Sequence, residues 1–419
     1  MKIYFIGIGG IGISALAKYY LKKGHRIYGS DILDSEIIQD LKKNGVQITN
    51  KLPDNIDLVI YTAAISKQNK IYLKAKKRNI KTLSYPEALA ELSKNMFTIA
   101  ISGTHGKSTT TAMLSLILTE AGLDPTVIVG TKIKEFENNN YRIGNSKYLI
   151  IEACEYKDSF LNYHPDIGVI LNIEKDHLDY FKNFKNIKES FNQFAKQSKK
   201  VILEKQIQEL INTQNKIIFD KNKITKPILN IPGEFNILNA MHAIKVADEL
   251  GIKKELSLKV LSKFKGTWRR MDTDNKSFNF TIINDYAHHP TEIKETLKAI
   301  REKYKTQKIY CIFQPHQYER TLVFSNEFEN VLKNALLKEH LNKLFLYPIY
   351  TAEGRESPEI KKQINSEKLV SKINHKNCAF IKNFEEAKIF IKNTLKENNV
   401  LIIMGAGNIY NLYLELLSI

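Results

Sequence analysis

The sequence predicts an α/β protein made of several domains with mostly parallel sheets. Three observations support this fold class. Strand-like apolar segments alternate with helical segments through most of the 419 residues. Two glycine-rich turns, at residues 7–12 and 103–106, each join a predicted strand to a predicted helix. The later predicted strands end in turns rich in Gly, Pro, His or Asp. Because ligands bind at the carboxyl ends of parallel strands, we expect the functional residues at those edges.

The first predicted domain covers residues 1–95. Its predicted strands are "KIYFIGI", "RIYGSD" and "LVIYTAAI", and its predicted helices cover 11–23, 35–44 and 69–79. The opening "MKIYFIGIGGIGISALA" contains Gly7-x-Gly9-x-x-Gly12, and Asp31 ends the second strand. This pattern is typical of a dinucleotide-binding turn with an acidic residue for a ribose hydroxyl. By itself it leaves open whether the ligand is NAD or another diphosphate.

Composition narrows the class of protein. The net charge of +18 suits anionic, phosphate-bearing substrates. Basic runs such as "KAKKRN" are short and have no accompanying stacking-aromatic motif, so we predict no nucleic-acid partner. No apolar run is long enough to insert into a membrane, and three glycines make the opening segment a poor signal peptide. Three cysteines without metal spacing favour the reducing cytoplasm.

The second predicted domain, residues 96–268, contains the stronger phosphate-binding signal. "MFTIAISGTHGKSTTTAMLSLIL" predicts a strand, a glycine turn and a helix. The turn resembles a P-loop, although Ile101 occupies the position of the usual first glycine. Lys107 is placed to contact the β- and γ-phosphates of a nucleotide, and the Ser108 hydroxyl is placed to bind Mg²⁺. An ATP-dependent enzyme is therefore favoured.

Two further strands in this domain supply candidate metal ligands. "KYLIIEACE" ends with Glu152 and Glu155, and "GVILNIEKDHLDY" ends with Asp176, His177 and Asp179. Each residue alone is more often structural. If both strands belong to the same sheet as the strand before Lys107, all three segments open at the same edge of that sheet, where a nucleotide would lie. Together they predict a Mg²⁺ site, although Mg²⁺ ordinarily prefers oxygen ligands.

The third predicted domain, residues 269–419, begins near "RRMDTDNKSFNFTIINDYAHHP". It continues through "KIYCIFQPH", "LFLYPIY" and "VLIIMGAG", which we predict to be further strands.

Nine motifs in order resemble the Mur ligases of peptidoglycan synthesis. They are "GIGGIGISALA", "GTHGKSTTT", "EACEYKDSF", "NIEKDHLDYF", "GEFNILNA", "GTWRRMD", "DYAHHPTE", "FQPHQYERT" and "MGAGN". The resemblance implies a Rossmann-like N-terminal domain for a UDP-sugar, a central P-loop ATPase domain and a Rossmann-like C-terminal domain for an amino acid. In this family the first glycine loop holds the diphosphate side of a UDP-sugar and not NAD.

The resemblance is strongest to the members that join L-alanine to UDP-N-acetylmuramate. It implies that ATP, with Mg²⁺, phosphorylates the lactyl carboxylate of the sugar, and that the amine of L-alanine then attacks this acyl phosphate. A cytoplasmic monomer or homodimer is expected.

The resemblance also assigns residues to the three ligands. The catalytic residues implied are Lys107, Glu152, His177, His288 and Arg320, with His289 near the amino acid. The metal ligands implied are Ser108, Glu152 and His177. The ATP-binding residues implied are Gly103, Thr104, His105, Gly106, Lys107, Ser108, Thr109, Asn236, Asn239, Arg270 and Asp285. The UDP-sugar-binding residues implied are Gly7, Gly9, Gly10, Ile11, Gly12, Ser30, Asp31, Thr62 and Ala63. Without the family, Asn239 could be a helix residue without a ligand, and Arg269 with Arg270 a solvated pair.

Four positions depart from the family pattern. Phe235 stands where the family usually has His, Gln317 where it has a basic residue, and Asn408 where it has Asp. Sister ligases carry a CO₂-modified lysine where this chain has Asn192, so we predict no carbamylated lysine.

Three alternative functions stay open at this point. A recycling ligase would attach a whole tripeptide to the same sugar, although that relative has a different first loop and a longer chain. An NAD(P)-dependent oxidoreductase would use the first glycine loop and Asp31, but leaves the second loop unexplained. A non-catalytic nucleotide-sugar sensor would account for the departures at Phe235, Gln317 and Asn408.

Overall fold

The computed structural model describes residues 1–62, 65–66, 68–274, 278–351 and 356–418. The strands are β1 (Lys2–Ile6), β2 (Arg26–Ser30), β3 (Gln47–Ile48), β4 (Leu58–Tyr61), β5 (Lys81–Ser84), β6 (Phe97–Ser102), β7 (Thr126–Ile133), β8 (Asn139–Arg142), β9 (Tyr148–Glu152), β10 (Ile167–Ile170), β11 (Lys200–Glu204), β12 (Lys216–Phe219), β13 (Asp272–Asp274), β14 (Thr281–Asp285), β15 (Ile309–Phe313), β16 (Lys343–Leu346), β17 (Cys378–Phe380) and β18 (Val400–Met404). The α-helices are α1 (Ile11–Lys22), α2 (Glu36–Lys43), α3 (Lys70–Lys77), α4 (Tyr85–Ser93), α5 (Lys107–Glu120), α6 (Leu178–Phe181), α7 (Phe184–Gln197), α8 (Glu234–Glu249), α9 (Lys254–Leu261), α10 (Pro290–Lys303), α11 (Tyr318–Val323), α12 (Ser325–Leu337), α13 (Pro358–Gln363), α14 (Ser366–Ile373), α15 (Phe384–Thr394) and α16 (Tyr410–Leu417).

The first sheet has the order β3-β2-β1-β4-β5, and all its strands are parallel. Ile3, Tyr4 and Phe5 of β1 have no exposed surface. A central parallel strand is covered on both faces, which explains its continuous apolar run. Ile6 pairs with Ser30 on one side and with Tyr61 on the other, so β1, β2 and β4 end at the same edge.

Helix α4 follows the first sheet and was absent from the sequence prediction. Its start carries a capping box, in which Ser84 and Glu87 bond each other's backbone N–H groups, and a proline in the first turn. Both are strong local signals for a helix N-terminus. The segment "SYPE" therefore contained enough information to predict this helix.

The second sheet has the order β12-β11-β10-β6-β9-β7-β8 and is parallel except for the antiparallel β7–β8 pair. Ser102 of β6 pairs with Ile170 of β10, and Ile101 pairs with Glu152 of β9. The expectation that β9 and β10 belong to the same sheet as the strand before the second glycine loop is confirmed, and the structure places one of them on each side of that strand. The segments after these strands open at one edge.

The third sheet has the order β13-β14-β18-β15-β16-β17, with only the short β13 antiparallel to its neighbour among the described strands. Alternate residues of its central strands enter two different apolar clusters. Ile283 and Ile402 belong to one cluster, and Ile282 and Ile403 belong to the other. Because successive side chains of a strand point to opposite faces, both faces of this sheet are covered.

The chain forms two compact units. The first contains residues 1–176, 180–229 and 237–265, and the second contains residues 177–179, 230–236 and 266–419. The predicted α/β fold class with parallel sheets is confirmed, whereas the exact domain boundaries at 95/96 and 268/269 stay predictions. Among the described residues, no helix has the length and apolar composition that crossing a membrane requires.

Candidate functional site

The second glycine loop joins β6 to α5 in the first unit. Gly103 and Gly106 have φ values of +142° and +86°, which side-chain-bearing residues rarely adopt. A Cβ atom on Gly106 would lie only 2.3 Å from Oδ1 of Asn239, so a larger residue there is also sterically excluded. Helix α5 begins without a side-chain cap. The N–H groups of its first turn are therefore oriented for an anion, as a phosphate-binding loop requires.

Asn172, just after β10, holds this loop in place. Its Oδ1 accepts the N–H of His105 at 2.8 Å, and its Nδ2 donates to the carbonyl oxygen of His105 at 3.1 Å. Its own carbonyl oxygen accepts the N–H of Thr104 at 3.2 Å. The Thr104 hydroxyl accepts the N–H of Glu174 at 2.9 Å. The sequence analysis did not identify Asn172, although its position directly after a strand of this sheet was a usable signal.

Lys107 is engaged by protein groups at the start of α5. Its ammonium donates to the carbonyl oxygens of Gly103 and Thr104 and to Oε2 of Glu155, the last at 2.9 Å. Burial lowers the pKa of Lys107, but the neighbouring carboxylates of Glu155 and Glu152 outweigh this effect and raise that pKa above its ordinary value. The ammonium is therefore charged, and a phosphate must displace or share one of these contacts.

Glu152 ends β9, the strand beside the loop-bearing β6. One of its oxygens accepts the N–H of Gly130 at 2.8 Å, and a Cβ on Gly130 would lie 3.0 Å from the other oxygen. Glycine at this position of β7 thus permits the close approach. The Ser108 hydroxyl and the Glu152 carboxylate are the oxygen donors that suit Mg²⁺. His177, the third predicted ligand, belongs to the second unit and has a φ of +51°.

The first glycine loop is shaped by the end of β2. The N–H groups of Gly7 and Ile8 both donate to the carbonyl oxygen of Ser30. The Gly9 N–H donates to Oδ2 of Asp31 at 2.8 Å. A Cβ on Gly7 would collide with Thr62 at 2.3 Å. The Asp31 carboxylate therefore organises the loop backbone, whereas the sequence had suggested only a ribose contact.

Three other residues predicted to bind the UDP-sugar lie at the start of α1. Gly10 precedes α1, Ile11 and Gly12 begin that helix, and Ala63 lies outside the described residues. Asn140, a buried residue of β8, donates from Nδ2 to the carbonyl oxygen of Ile11 and, at 3.0 Å, to the hydroxyl of Ser14. The first turn of α1 is thereby fastened to the β7–β8 hairpin of the second sheet.

Arg269 and Arg270 in the second unit differ in environment. Arg269 is buried, and donates to the carbonyl oxygens of Gly405 and Gly407 at 2.7 and 3.2 Å. Burial lowers the pKa of its guanidinium. The alternative of a solvated arginine pair is therefore wrong for Arg269, which has a structural role. Arg270 is more accessible and lies 3.4 Å from Glu292.

Two residues predicted to contact ATP have structural contacts of their own. Asp285 is buried, and its carboxylate accepts the N–H groups of Met271 and Ala287 at 2.8 and 2.9 Å. Burial raises the pKa of this carboxyl group. Asn236 donates to the carbonyl oxygen of Pro232 at 2.7 Å. These contacts fix the end of β14 and the start of α8, which carry the two residues.

The second unit gathers a cluster of histidine and arginine at the carboxyl edge of its sheet. The ring centroids of His288 and His316 lie 5.6 Å apart, and Nη1 of Arg320 lies 3.1 Å from Nδ1 of His316. Nδ1 of His288 lies 3.2 Å from Oε2 of Glu292. His289 instead caps α10, because its Nδ1 accepts the N–H of Thr291. The cluster brings the predicted His288 and Arg320 into one region and adds His316, which the sequence analysis did not single out.

The positions that depart from the family pattern have defined contacts. Gln317 has a φ of +70° and its N–H donates to the carbonyl oxygen of Tyr350 at 2.7 Å. Asn408 accepts a hydrogen bond from Gln314 at 2.8 Å. Phe235 packs against an apolar cluster of the second unit. Asn192 donates to the carbonyl oxygens of Lys188 and Leu210, at 2.8 and 2.9 Å, so its amide has a structural function.

Comparison with known proteins gives consistent matches along the chain. The Mur ligase family catalytic domain matches residues 2–96, the Mur ligase middle domain matches 101–220, and the Mur ligase glutamate ligase domain matches 269–407. The UDP-N-acetylmuramate–L-alanine ligase of Clostridium kluyveri is 39% identical over 98% of this chain and 96% of its own length. The enzyme of the same name from Clostridium novyi is 38% identical over 98% of this chain and 95% of its own length.

Solved structures agree with these matches. The UDP-N-acetylmuramate–alanine ligase of Thermotoga maritima superimposes with a TM-score of 0.83 at 26% identity, covering 100% of this chain and 98% of that one. A murein peptide ligase from Psychrobacter arcticus shares the fold, with a TM-score of 0.73 at 21% identity over 100% of this chain and 98% of that one. Three consecutive domain matches, together with relatives of 38–39% identity matched over nearly the whole of both chains, show that this chain belongs to the Mur ligase family.

Proposed function

We propose that this protein is the ATP-dependent ligase that joins L-alanine to the lactyl carboxylate of UDP-N-acetylmuramate in peptidoglycan precursor synthesis. The observation that carries the proposal is the full-length identity of 39% to a UDP-N-acetylmuramate–L-alanine ligase. The two glycine loops, on separate sheets of the first unit, support it because the reaction needs two phosphate-bearing substrates at once.

The proposed ligation must first activate the lactyl carboxylate of UDP-N-acetylmuramate, because a carboxylate is a poor electrophile. A carboxylate oxygen of UDP-N-acetylmuramate attacks the γ-phosphorus of ATP, which forms an acyl phosphate and releases ADP. The amine nitrogen of L-alanine then attacks the acyl carbon, the bond from that carbon to the phosphate oxygen breaks, and phosphate leaves. The amine loses a proton as the amide forms. The protein supplies position and neutralising charge.

The second glycine loop binds the triphosphate in this proposal. The N–H groups at the start of α5 accommodate phosphate oxygens, and Lys107 contributes the positive charge next to them. Ser108, Glu152 and His177 would hold Mg²⁺, which supplies further charge neutralisation for the transferred phosphoryl group. Asn172 keeps the loop in its binding conformation through its two bonds to His105.

The cluster of the second unit binds the amino acid in this proposal. The Arg320 guanidinium is buried, is always charged, and suits the carboxylate of L-alanine. His288, which has one ring nitrogen beside Glu292, would orient the amine of L-alanine. We further propose a cytoplasmic monomer or homodimer; the three cysteines are all free thiols, as expected for a reducing compartment.

The test is ADP release by the purified full-length protein, with mass spectrometry of the product. We expect turnover only when UDP-N-acetylmuramate, L-alanine, ATP and Mg²⁺ are all present. Lys107→Ala is the control, which should abolish turnover while retaining UDP-sugar binding. Release of ADP that depends on neither the sugar nor L-alanine would overturn the proposal. Preferential incorporation of a tripeptide over L-alanine would instead assign the recycling reaction.

A further inference from the structure

Tyr85 lies at the junction between the two sheets of the first unit. It is the first residue of α4, and its phenol ring packs against the first turn of α1. A Cβ on Gly12 would lie 3.0 Å from the Tyr85 hydroxyl oxygen and 3.2 Å from the ring carbon that bears it. The third glycine of the first loop therefore leaves the space that this phenol occupies.

Helix α4, which carries Tyr85, packs against residues 156–162, the segment that follows Glu152 at the end of β9. Burial raises the pKa of Tyr85 strongly. The hydroxyl is therefore protonated at every pH at which the protein functions. It can donate a hydrogen bond in the region between the first glycine loop and Glu152.

The Tyr85 hydroxyl makes no hydrogen bond to any residue in the described part of the chain, and its oxygen is not sealed from solvent. The hydroxyl of Tyr4, by contrast, donates to the carbonyl oxygen of Thr49. Buried tyrosine hydroxyls usually have a hydrogen-bond partner. Because the fold does not use the O–H group of Tyr85, this group can donate a hydrogen bond to a ligand.

Hydrogen bonds fix the segments that surround Tyr85. Asn140 fastens the first turn of α1 to the β7–β8 hairpin, and Gly130 of the same hairpin bonds to Glu152. At the start of α4, the capping box of Ser84 and Glu87 sets the backbone that carries the phenol. The hydroxyl thus has a fixed position relative to both the first glycine loop and Glu152.

We propose that Tyr85 is a substrate-positioning residue, whose hydroxyl donates a hydrogen bond to the UDP-sugar where that substrate extends from the first glycine loop toward Glu152. The inference rests on the proposed function, because it requires a diphosphate sugar at the first loop and its carboxylate near the second. UDP-sugars are rich in acceptor oxygens, which match a neutral donor. The contact sets how far the lactyl carboxylate reaches toward the nucleotide.

The test compares Tyr85→Phe with the wild-type protein. Loss of one such hydrogen bond should raise the Kd for UDP-N-acetylmuramate, measured calorimetrically without ATP, by roughly three- to tenfold. The KM for that sugar should rise similarly, while the KM values for ATP and L-alanine stay unchanged. The Tm of the variant should match that of the wild type, because the fold does not use this hydroxyl.

Tyr4→Phe is the matched control. It removes a hydroxyl that the fold does use, so it should lower the Tm and leave the Kd for the sugar unchanged. An unaltered Kd in Tyr85→Phe, alongside normal turnover by the wild type, would overturn the inference and leave the proposed function intact. A lowered Tm with all three KM values raised would also overturn it, since the role would then be structural. Absence of product from the wild type would overturn the proposed function itself.

Discussion

Replacing Glu155 by Gln removes the negative charge that lies 2.9 Å from Nζ of Lys107. The side chains of Lys107 and Glu155 are only 17% and 4% exposed, so solvent compensates poorly for the loss. Removing one partner of a buried ion pair costs about 3–5 kcal/mol, and we expect the lower end because glutamine keeps an acceptor oxygen. At about 2 °C per kcal/mol for a unit of this size, the apparent Tm should fall by roughly 6 °C.

ATP should reverse this loss, because phosphate oxygens replace the missing charge beside Lys107. At a concentration 100-fold above its Kd, ATP stabilises the wild type by about 2.7 kcal/mol. Removing the opposing charge of Glu155 should strengthen ATP binding by about 2 kcal/mol at an effective dielectric constant near 20. The ATP-induced rise in Tm should therefore be larger in Glu155→Gln than in the wild type.

Differential scanning fluorimetry with and without Mg²⁺-ATP measures both effects. The control is Glu91→Gln, which breaks the 2.6 Å pair with Lys94, whose partners are 46% and 63% exposed. We expect that variant to have nearly the wild-type Tm and the wild-type response to ATP. Equal ATP-induced shifts in Glu155→Gln and the wild type would refute the reasoning, since Lys107 would then keep its contact with Glu155 when ATP binds.

Three further predictions concern other parts of the molecule. Asp31→Ala should weaken UDP-N-acetylmuramate binding about tenfold, because the Gly9 N–H loses its acceptor. Asp31→Asn should keep most of the affinity, because its amide oxygen can still accept this hydrogen bond. Equal losses of affinity in the two variants, measured by isothermal titration calorimetry, would show that the charge of Asp31 itself binds the substrate. His177→Ala should lose far more rate at low than at high Mg²⁺, and an unchanged apparent metal affinity across the titration would remove His177 from the metal site. Burial lowers the pKa of His242 to about 4, below its unfolded value of about 6.5, so its stabilising effect is complete above pH 6.5 and is lost as pH falls toward 4. The free energy of unfolding of the wild type should fall by about 3 kcal/mol more than that of His242→Leu across this range, and parallel urea-unfolding profiles for the two proteins would contradict the assignment.

Local sequence signals predicted the two glycine loops and the helices that follow them. Strand, glycine turn and helix form a contiguous segment, and positive φ values at Gly7, Gly103 and Gly106 are a local property of the residue. Helix α4 had equally local signals in Ser84 and Glu87, which the sequence analysis did not use. The order of nine motifs was sufficient for the family resemblance.

The hydrogen-bond partners and the burial of the predicted residues depended on contacts between segments that are far apart in the sequence. The sequence placed Arg269 beside Arg270 without indicating that only Arg269 is buried among carbonyl oxygens. It grouped His288 with His289, yet His289 caps its own helix. Burial and hydrogen-bond partners depend on which elements pack together, and residue type alone leaves these open.

The sequence by itself determined where phosphate-binding backbone occurs, because turn geometry and helix starts depend on neighbouring residues. Only the tertiary structure decided that Lys107 meets Glu155, that Asn172 holds His105, and that Tyr85 fills the space beside Gly12. The first two pairs exist because β6 lies between β9 and β10. Strand order has no local periodicity to reveal it, since it is set by which apolar faces can be buried together across long stretches of chain.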